Sequence, residues 1–548
     1  MLRPHRLSSP LLLASLFLAS LAPDCGAARL FDGMGRHHRT VSTSSREAQR
    51  WFDQGLVWVM SFNHDEAIRS FTEAARLDTG CAMAWWGVAL ANGPHINNPA
   101  MSPEQSQAAW KAIARAKASV ASASPVEQAL ISALAARYAE APPSDRHGLD
   151  QAYADAMRDV WKRHPADADA GALFAEALMD LRPWDLWQAD GSPQPGTDEI
   201  LATLEQVLKQ APDHPLANHL WVHAVEASPH PERALAAANR LRTLVPAAGH
   251  MVHMPAHIYS RVGRWADAAA ANERAIAVDR RYRALSPRQG FYSVYMAHNR
   301  HFLSWASQME GRSAEALRAS REMLANLPPD FVRESSFFAD GFMTIELETL
   351  MRFGRWDELL AIPEGPDYLP ITRAFRRFAR GTAYAALGNL EDAGREQSAF
   401  RDAMGGVSEE MIVGNNPGRL VLSIADHQLA GEIANRRGDV ETAVRELGEG
   451  VRIEDSLRYD ESPDWLLPVR HALGAVLVRA RRWPEAEAVY RADLVKNPEN
   501  GWALWGLSRS LRAQEKLAEA DAVQARFRKA WKRADVSLES TCYCQVWN

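Results

Sequence analysis

The chain has 548 residues, 47% of them hydrophobic, and a formal net charge of −6 with acids and bases interspersed. A balance this mild, without a basic stripe, excludes a surface built for nucleic acid. Ala, Leu, Arg and Glu dominate while runs of Val, Ile and Thr are scarce, which favours an all-α chain.

Residues 1–27 read as an export signal. Arg3 and Arg6 precede an apolar run from Leu11 to Ala22, and small residues follow at Gly26, Ala27 and Ala28. The expected location is secreted or periplasmic. An uncleaved anchor is the alternative, and a lipid anchor at Cys25 is opposed by Pro23 and Asp24 just before it. No later run is long enough to span a membrane. Residues 28–47 form an N-terminal extension whose His37 and His38 read as a basic turn, with capping of a groove as the alternative.

From Ala48 onward the chain compares with itself at a period of about 34 residues. Each unit has an apolar helix, a turn such as Gly263-Arg264-Trp265, Gly354-Arg355-Trp356 or Gly438-Asp439-Val440, and a second helix with small residues at fixed offsets. The first unit carries Trp51, Gly55, Trp58, Ala67, Phe71 and Ala74. Later units start near Pro215 (Ala234, Pro246), Gly249 (Tyr259, Ala268, Ala275), Ala297 (Ala316, Pro328) and Ala374 (Gly381, Tyr384, Ala393). Others start near Ile424 (Gly431, Ala443), Leu467 (Gly474, Ala486, Tyr490, Pro498) and Gly501 (Leu507, Leu511, Ala520, Phe527). In this pattern the chain resembles the tetratricopeptide repeat family. The resemblance covers most of residues 48–533 and implies a right-handed α-α superhelical solenoid of helical hairpins. Three stretches interrupt the period: Gly93–Pro103, Pro183–Gly196 and Asp402–Pro417. In a solenoid such insertions tend to border the binding face. Residues 534–548 read as a loose tail.

Half of the histidines fall between His214 and His301. His219 and His223 in NHLWVHAVE, and His253 and His257 in HMVHMPAHIY, are spaced i, i+4; His298 and His301 in MAHNRHF are spaced i, i+3. Either spacing puts both rings on one helix face. Pro255 requires a helix start or a kink between His253 and His257. The resemblance further implies which positions of each first helix face the concave groove. By that rule His219, His223, Glu226, His250, His253, His257, His298, His301 and His471 all point inward. Neutral imidazole is a ligand for zinc, copper and iron, so His219, His223, His253, His257, His298 and His301 are the expected ligands of a transition-metal site. One ion or two remain open. His230, between prolines in SPHPERA, reads as structural.

Around that site, Glu176 and Asp180 (also i, i+4) are candidate oxygen ligands or acceptors, and His250 and Tyr295 candidate groove residues. If the protein is an enzyme, Glu226 is the candidate base and Tyr259 a proton donor; Glu176, Tyr292 and Tyr295 are further candidates. No HExxH, Gly-x-Ser-x-Gly, P-loop or Rossmann signature is present. A second groove candidate lies in RYDESPDWLLPVRH, with Tyr459, Asp460, Glu461, Trp465, Arg470 and His471. Trp502 and Trp505 read as packing between repeats. Cys81 reads as a packed thiol, while Cys542 and Cys544 are open to a bridge, a soft-metal pair or no role. The expected ligand is a small molecule or peptide in the groove. The alternative to the metal reading is a scaffold that grips a peptide or protein partner.

Overall fold

The structure is a computed structural model that describes residues 28–287 and 289–545. The export signal and Cys25 lie outside the described residues. The chain forms two compact units. One comprises Arg36–Pro183 and Asp198–Leu216 with the chain before Gly33; the other comprises Gly33–Gly35, Trp184–Thr197 and the chain from Ala217 onward.

The first unit is built of α1 (Arg46–Met60), α2 (His64–Leu77), α3 (Ala82–Ala91), α4 (Pro103–Ala118), α5 (Pro125–Ala135), α6 (His147–Arg163), α7 (Ala168–Met179) and α8 (Thr197–Gln210). Ser45 and Asn63 cap α1 and α2 by accepting from Ala48 N and Glu66 N, which satisfies backbone donors that no helical carbonyl reaches. The small residues of the repeat have a visible purpose in this hairpin. A Cβ on Gly55 would stand 2.7 Å from the Phe71 ring, and one on Gly87 2.5 Å from it. Phe71 is thus clamped between two helices that approach closely because neither glycine carries a side chain.

The second unit continues with α9 (Pro215–Glu226), α10 (Leu235–Leu244), α11 (Gly249–His253), α12 (Pro255–Arg261), α13 (Trp265–Leu285), α14 (Tyr292–Met309) and α15 (Ser313–Asn326). Four further hairpins follow: Pro370–Ala386 with Leu390–Gly405, Gly418–Arg436 with Val440–Ser456, Val469–Arg479 with Trp483–Lys496, and Gly501–Ala513 with Leu517–Ala530. Their facing sides share one apolar core that includes Phe378, Phe400, Leu429, Leu447 and Tyr490. The chain is therefore an all-α solenoid of helical hairpins. The interruption at 402–417 holds a short antiparallel pair, Ile412–Val413 with Asn416–Pro417.

The C-terminal residues do not trail away as the sequence suggests. The Asp535 carboxylate accepts from Ser313 N at 2.6 Å and Ala314 N at 2.9 Å, a favourable place for an anion at the start of α15. Thr541 Oγ1 donates to the His471 carbonyl at 2.7 Å, and Cys544 and Gln545 are buried. A polar segment without hydrophobic periodicity docks here through hydrogen bonds, which periodicity does not reveal. Among the described residues no helix is long and apolar enough to cross a membrane.

Candidate metal centre

Four helices of the second unit, α9, α11, α12 and α14, bring histidines together. On α9 the i, i+4 spacing brings the tilted rings of His219 and His223 together (centroids 5.0 Å apart), and Glu226 follows one turn on. The next helix is broken where Pro255 demands it: α11 ends at His253, Met254 joins in helical geometry and α12 begins at Pro255. The break does not separate the pair, since His253 Nε2 and His257 Nε2 stand 2.6 Å apart. From α14, His298 Nε2 reaches within 3.1 Å of His253 Nε2.

These rings form two triads. One ligand nitrogen from each of His219, His223 and His250 lies within 4.8 Å of the others, and the same holds for His253, His257 and His298. In the first triad His250 Nε2 and His219 Nε2 are 3.1 Å apart. Glu226 links the triads, with Oε1 2.8 Å from His223 Nδ1 and Oε2 2.8 Å from His257 Nδ1. His223, Glu226, His257 and Glu461 make an overlapping group of the same compactness.

The hydrogen-bond partners decide the tautomers. His257 Nδ1 faces a carboxylate and so carries the proton. His253 Nδ1 is 2.7 Å from Asn272 Oδ1. The Asn272 amide is oriented by its Nδ2, which donates to the Ala268 carbonyl at 3.0 Å, so Oδ1 accepts and His253 Nδ1 donates. Both Nε2 atoms are then bare lone pairs, and they face each other.

Burial governs the charges. It drives the His250, His253 and His298 imidazoles well below their ordinary pKa, and the neighbouring histidines push them further down. His257 is also lowered by burial, with Glu226 opposing. Burial would raise the Glu226 carboxyl, but His257 and His223 hold it well below the usual range. Glu461 is pushed well above that range by burial and by facing Glu226. Two carboxyls in contact are thus shifted in opposite directions, Glu226 toward the ionised form and Glu461 toward the protonated one. Tyr459 donates to Glu226 Oε2 at 3.1 Å. Phe302 lies parallel to the His257 ring at 5.6 Å, and Tyr295 packs on His250 at 4.3 Å.

Of the residues read from the sequence, His219, His223, His253, His257, His298 and Glu226 come together. His250, read as a groove residue, belongs to a triad. His301 stands elsewhere, its Nδ1 2.9 Å from Ser462 Oγ and its ring edge-on to Phe342. Tyr259 donates to Asn239 at 2.7 Å and lies under Arg264. Arg470 pairs with Asp455 at 2.6 Å, and His471 with Asp493 at 2.9 Å and Arg352 at 3.0 Å. Trp502 is buried and donates to the Gln308 carbonyl at 2.8 Å, in the packing role read for it. Glu176 and Asp180 lie in the first unit beside Arg137, whose Nη2 donates to Asp180 Oδ2 at 2.5 Å. Burial raises Glu176 to about 8 and Asp180 to about 6. Sequence reasoning missed Asn272 altogether. It named Tyr459 and Glu461 but assigned them to a separate groove region, because they follow Glu226 by more than two hundred residues.

A second histidine group lies within the first unit. His37 Nε2 and His214 Nε2 stand 2.9 and 3.0 Å from the same Asp169 oxygen, while Arg39 donates to the other oxygen at 2.9 Å. Arg39 also holds Asp167 at 2.8 Å.

Residues 469–501, one helical hairpin of the second unit, match the tetratricopeptide repeat family. None of the curated proteins compared matches the chain. Among solved structures it is similar to the Cut9–Hcn1 hetero-tetramer of the APC/C, at 12% identity and a TM-score of 0.31 over 89% of this chain and 76% of that one. It is also similar to the human IFIT1 dimer with m7Gppp-AAAA, at 12% identity and a TM-score of 0.31 over 89% of this chain and 90% of that one. At that level of superposition the ligands of those proteins say nothing about this one.

Proposed function

We propose that the protein is a transition-metal protein whose second unit holds a pair of ions. One is held by His219, His223 and His250, the other by His253, His257 and His298, and Glu226 orients one ring of each set. The observation that carries this reading is the 2.6 Å approach of His253 Nε2 and His257 Nε2. Both atoms bear lone pairs, and buried neutral imidazoles hold no proton to share between them. A cation relieves that repulsion. Three neutral imidazoles without thiolate suit zinc or copper, and the oxygens of Glu226 and Glu461 keep iron as a third candidate. An ion with three protein ligands keeps a position for water or substrate and polarises what binds there. The chain's own groups provide the Glu226 and Glu461 carboxyls, shifted in opposite directions, and the Tyr459 hydroxyl, which suits proton transfer to a small molecule held at the site. Residues 1–27 support export as the setting.

The test is elemental analysis of protein made without chelator or histidine tag. About two ions per chain are expected. The His253→Ala/His257→Ala variant should lose about one of them while its helical circular dichroism persists. Absence of metal in the wild type, with none taken up from added zinc, copper or iron, would sink the reading. The second reading is a scaffold that holds a peptide or protein, favoured by the repeat match at 469–501. It predicts a captured partner whose binding is indifferent to that double substitution.

A further inference from the structure

The C-terminal segment carries chemistry that the histidine centre does not use. Cys542 and Cys544 are joined as a disulfide. Their sulfurs and a Glu432 oxygen form a group whose atoms all lie within 4.8 Å of one another. Glu432 is buried on helix Gly418–Arg436, one turn from Gln428 on the same face. Its Oε1 is 4.0 Å from Cys542 Sγ, and its other oxygen accepts from the Gln545 amide. Arg436, one turn further along, acts on it at longer range and donates to the Cys544 carbonyl at 2.8 Å.

A cavity of about 20 Å³, room for one water, lies against these cysteines, with Arg352, Thr382, Gln428 and His471 in its wall. Thr382 Oγ1 and Gln428 Oε1 are buried there without a hydrogen-bond partner. Orphaned polar atoms of this kind signal a missing polar occupant.

We infer that this is a redox-gated zinc site, in which reduction of the disulfide frees Cys542 Sγ and Cys544 Sγ to bind one Zn²⁺ together with Glu432. Thiolates select zinc over hard cations, and three protein ligands leave a fourth position for water. A water in the cavity would also satisfy Thr382 and Gln428. The step requires an external dithiol. It passes two electrons and two protons to the Cys542–Cys544 bond and becomes a disulfide itself. Zinc then displaces both thiol protons, and the proton that burial favours on Glu432, to solvent. The oxidised form has no thiolate to offer and is closed to the ion.

Equilibrium dialysis against Zn²⁺ tests this on the full chain, oxidised and after treatment with a dithiol that is then removed anaerobically. Reduced protein should hold about one Zn²⁺ more than oxidised protein, and Cys542→Ser/Cys544→Ser should abolish the increment. Glu432→Gln, which keeps both thiols and the shape, should weaken the reduced site about ten-fold or more while circular dichroism stays unchanged. Equal zinc in the two redox states, or an increment that survives the double serine variant, overturns the inference. The histidine ions do not depend on the dithiol, so the two readings fail separately. Oxidised protein without metal sinks the histidine centre, whereas a missing increment sinks only this site.

Discussion

The two histidine groups use the same residue types and reach opposite electrostatic solutions. In the first unit, His37 and His214 both end on one oxygen of Asp169, and Arg39 holds the other. Imidazole meets carboxylate, and the carboxylate meets guanidinium. In the second unit the carboxylate sits behind the rings: Glu226 accepts from Nδ1 of His223 and His257, so that their opposite edges turn toward other imidazoles. Imidazole meets imidazole, and on this arrangement the metal proposal rests. Both groups bring their ligand atoms within 4.8 Å of one another. They differ in which ring nitrogen the acid faces, Nε2 at Asp169 and Nδ1 at Glu226.

Asp169→Asn should break the first group hardest. It removes the charge that His37, His214 and Arg39 share in a buried site, at a cost of roughly 3 kcal/mol. Metal content should stay at the wild-type level, checked by urea denaturation alongside elemental analysis. Metal lost in this variant would mean that the first group also holds an ion, and the contrast would fall.

His301 sharpens the comparison from the second unit, as a buried histidine outside both triads. Burial lowers its pKa from 6.5 to about 4. Its folded-state pKa lies below the unfolded one, so the unfolded chain binds the extra proton. The penalty is absent above pH 6.5 and grows as pH falls toward about 4. At about 1.36 kcal/mol per pH unit, the stability lost across that window is on the order of 3 kcal/mol. His301→Asn should flatten the pH dependence of stability over this range without changing metal stoichiometry. Metal lost from His301→Asn would return that residue to the ligand set.

Glu226→Gln has the smallest expected effect and the finest resolution. If Glu226 orients ligands, both ions remain and affinity falls about ten- to a hundred-fold, read by competition with a chromogenic chelator. A fall in the number of ions instead would make Glu226 a direct ligand, in the group it forms with His223, His257 and Glu461.

Much of this architecture is legible in the order of the residues. The period of about 34 residues and its small residues announce helical hairpins, and Phe71 clamped between Gly55 and Gly87 shows why those positions are small. The i, i+4 pairs and Glu226 are legible because helical spacing alone sets which side chains share a face. Pro255 is legible as a break, but not its outcome, since whether a kink joins or parts His253 and His257 depends on the packing of α11 and α12 against α13. The docked C-terminus is illegible because it is held by carbonyls and caps, which leave no periodic trace.

By itself, then, the sequence determined the helical repeat, the histidine-bearing helix faces and the acid one turn beyond them. These are local properties, set by a rise and a twist that every helix shares. Only the tertiary structure decided that His250 joins a triad while His301 turns to Ser462. It alone placed Tyr459 and Glu461 at Glu226 and aimed the Asn272 amide at His253. Those choices depend on how helices far apart in the chain rotate and stack. Burial, which strips these groups of water, is what gives each such contact its chemical consequence.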